Sequence, residues 1–410
     1  MELLRVDSLE EALEKLEKNS KSIEIEKELV PLEQSFGRTL AEDVTADENI
    51  PGFCRSVMDG YAVHAADLQG AGESIPAFLE TVGEVKMGQT AEFEIEPGQC
   101  AYMPTGGMLP KGADAVVMEE YCEKLPGGKI AVSKSEAAGS NVALEDEDVA
   151  KGEKILERGR RIKPQDMGLL AAAGKARVLV YKPLKIFIVS TGDEIIRPED
   201  ETEPGKVRDV NTYGLMGMAL DLGFEVVGRA KAGDDLKELE AIICSAKATA
   251  DVIAISGGSS KGKKDVTAEV IDSMASSGVF THGIAVKPGK PTILAVDEPS
   301  RTVIAGLPGH PTAALMLFDL IAGGLWRQKT GAENRRCVSA EISVNMASSP
   351  GRKTFQLVKI VPCESGGNVA QPIPGKSGMI YAMSKADGYI VIEKNREGLK
   401  RGEAVKVYLM

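Results

Sequence analysis

Between about residues 183 and 326 the chain alternates apolar runs of strand length with helical stretches, and this alternation restricts the fold more than any other feature. Lys185-Ile-Phe-Ile-Val-Ser precedes a helical segment over 212–222, Glu225-Val-Val-Gly precedes one over 236–248, and the runs 251–256 and Thr302-Val-Ile-Ala lead into further helices. A repeated strand, loop, helix pattern predicts a parallel sheet with helices on both faces. In such a doubly wound sheet ligands bind outside the carboxyl ends of the strands, so polar motifs that follow strands carry most of the functional information.

Five polar segments stand at such positions: Ser190-Thr-Gly-Asp-Glu194, Ala232-Gly-Asp-Asp235, the run SGGSSKGKKD over 256–265, Val286-Lys-Pro-Gly-Lys-Pro291 and Gly306-Leu-Pro-Gly-His-Pro311. The third nearly spells a triphosphate-binding loop, because Gly257, Gly262 and Lys263 match G-x-x-x-x-G-K. Lys264 stands where that motif needs a hydroxyl to ligate magnesium, which argues against an ATPase. What remains is a glycine-rich turn whose amides can face an anion, with Lys261, Lys263 and Lys264 adding charge. Lys287 and Lys290 flank a Pro-Gly turn that directs both ammoniums to one side, while Asp193, Glu194, Asp234 and Asp265 are suited to a hydrated Mg²⁺ ion. The loop 306–311 precedes an apolar helix over 312–326, whose N-terminal dipole favours a phosphate or oxyanion. Each segment alone also reads as an ordinary capped or rigid turn, and their conjunction is what points to a phosphate-plus-metal site.

The rest of the chain divides into smaller units. Ser8 and Glu11 form a capping box for a helix over 9–18, and residues 1–51 with 144–182 read as an N-terminal helix and connector region. Short β-like runs broken by Gly and Pro make 52–143 a small β module, 183–330 the α/β domain, and alternating runs after about 335 make 331–410 a small β-barrel. At 410 residues, two to four folding units are expected. A net charge of −12 argues against nucleic acid and anionic membranes as partners, and leaves room for a local basic pocket. No run of about 18 apolar residues suits a membrane span, and the N-terminus lacks the apolar stretch of a signal peptide. The six cysteines form no C-x-x-C pair, which indicates reduced thiols and a cytoplasmic setting. Three scattered histidines give little support to a zinc site, so the chemistry should rest on Asp, Glu and Lys.

Read in order, SVMDGYAV (56–63), MPTGGMLPKGADAVVMEE (103–120), EDVAKG (147–152), STGDE, VRDVN (207–211), the GDD turn, SGGSSKGKKD, VKPGKP and GLPGHP closely resemble the molybdopterin molybdenumtransferase family, known as MoeA and as the E domain of gephyrin. The resemblance spans nearly the whole chain. It implies a multidomain α/β plus β protein, with a doubly wound molybdopterin-binding domain, an inserted β module, a connector and a C-terminal barrel. It also implies an enzyme that inserts molybdate into adenylylated molybdopterin with Mg²⁺-aided cleavage of the adenylyl phosphoanhydride, giving molybdenum cofactor and AMP. Tungstate in place of molybdate, and a non-catalytic pterin-binding scaffold of the same fold, stay open. Family members are homodimers whose cleft lies between the α/β domain of one subunit and the β module of the other; a molybdopterin adenylyltransferase and molybdoenzyme apoproteins are the implied further partners.

Carried over by motif, the catalytic set is Asp59, Asp148, Glu194, Asp234, Asp265, Lys287 and Lys290, with Glu194, Asp234 and Asp265 serving the metal. The implied pterin, phosphate and oxyanion contacts are Thr105, Thr191, Gly192, Ser256, Gly257, Gly258, Ser259, Pro288 and Gly289, together with Pro308, Gly309, His310 and Ser377. Four departures from the family pattern bear on the site. Ala143-Leu-Glu-Asp146 replaces an expected glycine and arginines, three lysines enter a loop usually without them, His310 stands for an asparagine, and Leu357 for an arginine.

Overall fold

The computed structural model describes residues 6–233, 235–257, 266–363, 366–375 and 377–410. At its centre lies a six-stranded sheet in the order Glu225–Ala232, Lys185–Thr191, Val252–Ser256, Thr302–Leu307, Ile293–Asp297, Val279–His282. The first four strands are mutually parallel, as the alternating pattern predicts. The last two pairings are antiparallel, which corrects the expectation of a wholly parallel sheet. Only 298–301 joins Ile293–Asp297 to Thr302–Leu307, and a link of that length closes a hairpin, whereas a parallel crossover needs a dozen or more residues.

The inner strands Val252–Ser256, Ile293–Asp297 and Thr302–Leu307 are buried on both faces, whereas the edge strand Glu225–Ala232 carries Arg229 and Lys231; the apolar residues of the sheet divide by alternation. Ile186, Ile188, Val252, Ala254, Val303 and Ala305 pack to one side, against helices Asn211–Asp221 and Pro311–Phe318. Val189, Ile253, Ile255 and Ile304 pack to the other, against Leu236–Ala246 and Val266–Met274. The helix expected over 312–326 is interrupted: after Phe318 the segment Asp319–Gly323 widens into a π-helix before Gly324–Thr330 resumes the α form. In that stretch the buried Asp319 carboxylate meets Arg327 at 3.3 Å and Arg335 at 2.6 Å, and Arg335 also donates to the Leu409 carbonyl at 3.2 Å. One buried carboxylate thus ties the α/β domain to both ends of the C-terminal unit.

That unit is a closed five-stranded barrel. Lys353–Pro362 pairs with both Asn368–Pro372 and Gly388–Ile392, and the ring closes through Ala404–Leu409 and Cys337–Ile342. Closure leaves no free strand edge among the five and surrounds a core of Ile342, Val358, Ala370, Ile390 and Val407. The β module holds a mixed six-stranded sheet, ordered Ala115–Met118, Gly60–Val63, Gln99–Met103, Ala77–Glu84, Lys129–Val132, Cys122–Leu125. Its two flanking segments meet where Lys27–Pro31 pairs antiparallel with Arg177–Tyr181.

The first helix, Leu9–Asn19, has the capping box read from Ser8 and Glu11, with both hydrogen bonds formed at 3.2 and 2.7 Å. Its apolar stripe of Leu9, Ala12 and Leu16 is buried in the core of the α/β domain, and Lys15 bridges Asp7 at 2.6 Å and the Phe280 carbonyl at 3.1 Å. Among the described residues, no helix is long and apolar enough to cross a membrane.

Candidate active site

Because four α/β strands are parallel, the turns after Thr191, Ala232, Ser256 and Leu307 emerge along one edge. Backbone geometry brings two of these turns into contact. Gly257 has φ +113°, and a Cβ there would lie 2.4 Å from the Thr191 carbonyl oxygen, so only glycine lets the strand end pass so close. Asn211, first residue of its helix, donates through Nδ2 to Ser256 Oγ at 2.7 Å and to the Gly309 carbonyl at 2.8 Å. Ser256 Oγ in turn reaches the Pro308 carbonyl at 3.5 Å. A single primary amide therefore holds the 256 and 308 turns together, a role for Asn211 that its motif, VRDVN, does not state.

The KPGKP turn arrives from another direction, which corrects its placement after an α/β strand. Val286–Lys287 pairs in parallel with the first residues of the barrel strand Lys353–Pro362. Gly289, at φ +116°, lies so close to helix Pro311–Phe318 that a Cβ would fall 2.4 Å from Leu317 Cδ1. Thr292 Oγ1 donates to the Gly289 carbonyl at 2.7 Å and stiffens the turn. Both lysine heads are left exposed; Lys287 Nζ donates to Ser349 Oγ at 3.0 Å, while the Lys290 ammonium has no hydrogen bond or ion pair among the described residues.

Between these turns and the barrel lies a cavity of about 840 Å³. Of the residues singled out from sequence, Glu194, Gly257, Lys287, Pro288, Gly289 and Lys290 line it, as do Pro308, Gly309, His310 and Ser377. Thr191, Gly192 and Ser256 form the strand ends beside it, outside its lining. His310 caps helix Pro311–Phe318 at its N-terminus, and its Nδ1 is 2.7 Å from Ser377 Oγ. The Thr312 amide donates to the Ser377 carbonyl at 3.3 Å, so the helix start and the 377 segment form one seam. The barrel supplies residues not picked from sequence, chiefly Arg352, Thr354, Phe355 and Gln356. The Arg352 side chain is exposed and unpaired among the described residues, whereas the Gln356 amide donates to the Leu357 and Ile373 carbonyls at 3.0 Å each. Arg352 is thus available to a ligand and Gln356 holds the strand.

The charged side chains of this lining are the cations Lys287, Lys290 and Arg352 against the single carboxylate of Glu194, a balance that suits an anion. Thr191 Oγ1 and Asn211 Oδ1 are buried beside it without hydrogen-bond partners among the described residues, positions that a polar ligand could satisfy. The fit to Mg²⁺ rests on fewer groups. Glu194 brings a hard oxygen donor to the rim, but among the described residues no three acidic, His or Cys side chains cluster as a metal site. Asp234, Asp265, Gly258 and Ser259 lie outside the described residues.

Asp59 and Thr105 are brought together, but away from the cavity. Asp59 Oδ1 accepts from the Thr105 amide at 2.7 Å and from its hydroxyl at 3.1 Å, on an exposed turn of the β module. Asp148 is likewise exposed, its amide bonded to the Ile50 carbonyl at 3.0 Å. Neither carboxylate lines the cavity of its own chain.

A doubly wound domain and a closed barrel that share a cavity suited to an anion, with a β module inserted ahead of them, define a class of multidomain α/β proteins. Comparison gives the family. The N-terminal part, residues 7–174, matches the MoeA N-terminal region (domain I and II); 187–327 matches the "Probable molybdopterin binding domain"; and 339–410 matches the MoeA C-terminal region (domain IV). The chain is 33% identical to a protein of Methanocaldococcus jannaschii named for molybdopterin biosynthesis, over 98% of this chain and 95% of that one. It is 31% identical to the molybdopterin molybdenumtransferase of Haemophilus influenzae, over 93% of each. The crystal structure of a molybdopterin biosynthesis MoeA protein from Pyrococcus horikoshii superposes with a TM-score of 0.79, at 36% identity over 99% of both chains. The chain belongs to the MoeA family of molybdopterin biosynthesis proteins.

Proposed function

We propose that this protein is a molybdopterin molybdenumtransferase that inserts an oxyanion, molybdate or tungstate, into adenylylated molybdopterin and releases AMP. The observation that carries this reading is the cavity itself, which gathers Lys287, Lys290, Arg352 and the turns at Gly257 and Gly309 around one space. A tetrahedral dianion next to a phosphoanhydride carries dense negative charge. Fixed cations and backbone donors stabilise such charge most when they are already in place before the substrate arrives.

In this reading the Lys290 ammonium, unpaired among the described residues, meets the oxyanion or phosphate, and Lys287 does so by releasing Ser349. The turns of Gly257 and Gly309 admit the phosphate close to the backbone, and the seam between His310 and Ser377 fixes the far wall. Glu194, with Asp234 and Asp265, would hold Mg²⁺, which supplies neutralisation of charge on the anhydride. Asp59 and Thr105 are assigned to the cleft of a second copy, since their exposed turn does not reach the cavity of its own chain. Asp148 is assigned there with them. A homodimer acting in the cytoplasm is the setting this implies, with an adenylyltransferase delivering the substrate and apoenzymes receiving the cofactor.

The test is incubation with adenylylated molybdopterin, Mg²⁺ and either oxyanion, reading AMP release and metal retained on the pterin. Oxyanion-dependent release establishes the activity, and the faster oxyanion names the substrate. Tight pterin binding without release with either oxyanion overturns the enzyme reading.

A further inference from the structure

The β module carries a second pocket, of about 620 Å³, lined by Tyr61, Tyr102, Lys124, Glu119 and the segment 81–84. Three features distinguish it from an incidental groove. Tyr61 and Tyr102 are direct cross-strand partners whose rings meet edge to face, centroids 5.5 Å apart at 76°. Lys124 Nζ sits 5.7 Å from the Tyr102 ring centroid and 3.2 Å from the Glu119 carboxylate, so a donor and an acceptor stand together beside an aromatic ring. The neighbouring strand Ala77–Glu84 is irregular at this place: Thr81 pairs with Cys100 and Gly83 with Ala101, so Val82 is an extra residue. A bulge of this kind bends a strand and redirects its side chains, and bulges concentrate beside functional sites.

The pocket also adjoins the Asp59 turn. Gly60 pairs with Met103 and Tyr61 with Tyr102, so Asp59 and Thr105 continue the ladder on which the two tyrosines stand. The Glu119 amide donates to the Asp59 carbonyl at 3.1 Å. Burial pushes the Tyr61 and Tyr102 phenols up, so both rings remain neutral at physiological pH.

We infer that this pocket binds a planar amino-heteroaromatic ring of the substrate, stacked on Tyr102 with its amino edge at Glu119 and its acceptor edge at Lys124. The inference rests on the proposed adenylylated pterin, which contains two such rings: the adenine presents an amine next to a ring nitrogen, and the pterin presents an amine and N–H next to a carbonyl. Both match one carboxylate beside one ammonium. Stacking on an aromatic side chain accepts either, since each has a π face.

Binding at equilibrium separates the sources and does not depend on turnover. Calorimetric titration of the full-length protein with AMP, and separately with molybdopterin, is compared with Tyr102→Leu and Lys124→Ala, each checked for unchanged thermal unfolding. Lys124 is exposed, so its variant folds even if the tyrosine variant does not. About a tenfold loss of AMP affinity in either folded variant, with molybdopterin unaffected, assigns the adenine ring; the converse assigns the pterin. Affinities for both ligands within twofold of wild type in both variants overturn the inference. If wild-type protein releases no AMP during turnover yet these losses are seen, the transferase reading fails and the ring site stands.

Discussion

The cavity has two walls of different construction. The α/β wall is made of turns, each a short contiguous motif whose glycines, lysines and carboxylate have chemical meaning even out of context. The barrel wall is made of residues on one strand, Lys353–Pro362, and of Arg352 just before it; these reach the cavity only because the barrel closes and pairs with Val286–Lys287. Strand order and register are long-range properties. The first wall was therefore visible in the sequence as an inventory of ligands, and the second was not.

Removing the Asp319 carboxylate attacks the barrel wall as a unit, and has the largest expected effect. Asp319→Ala leaves the Arg335 guanidinium buried without its partner, which should cost about 3–5 kcal/mol. Urea unfolding followed by circular dichroism measures this; a loss under 1 kcal/mol would show that the two walls are held together by apolar contact alone.

Next comes a comparison of the walls by function. Lys290→Ala should lower turnover by about 10²–10³-fold with no change in unfolding midpoint, because an exposed side chain contributes little to stability. Arg352→Ala, on the opposite wall, should cost about tenfold, as for one exposed charged contact. Equal losses in the two would mean that the walls share the anion evenly.

Gly257→Ala tests the close approach on which the α/β wall depends. With its φ in the left-handed half of the map and the Thr191 carbonyl in the way, alanine should destabilise the protein by about 1–3 kcal/mol and weaken anion binding. Retained affinity would show that the 191 and 257 turns can separate without harm.

The smallest effect concerns a surface tie between the first helix and the barrel. Lys353 bonds to Glu10 and holds its carboxyl below the ordinary value of 4.5, against burial that acts to raise it. A carboxyl depressed in the folded state stabilises above pH 4.5, and that stability is lost as pH falls through the lower folded value. With Glu10 more than half exposed, the contribution should stay below about 1 kcal/mol. The stability difference between wild type and Glu10→Gln should therefore shrink below pH 4.5; a difference that stays constant to pH 3 would exclude the ion pair as its source.

Legibility followed range along the chain. The capping box at Ser8 and Glu11 and the strand–helix alternation that underlies the parallel core of the sheet depend on neighbours a few residues away and are legible in the sequence, as are the turns at 191, 257 and 309 as motifs. The antiparallel edge is less legible, because the run 293–297 follows a Pro-rich turn rather than a helix and only the short link 298–301 signals a hairpin. The π-helical break at Asp319 was beyond any local signal, since Arg335, one of the two cations that meet its carboxylate, lies 16 residues on. Asn211 was passed over because its importance comes from what its amide touches in two other segments, which no motif states.

That asparagine has a thermodynamic consequence. The turns at Ser256 and Gly309 come from different strands and would, if independent, each charge their own ordering cost to whatever part of a ligand they receive. Sharing the Asn211 amide makes them one cooperative unit. A fragment that settles on either turn has already restricted the other, so two fragments of one substrate bind more tightly together than the sum of their separate affinities.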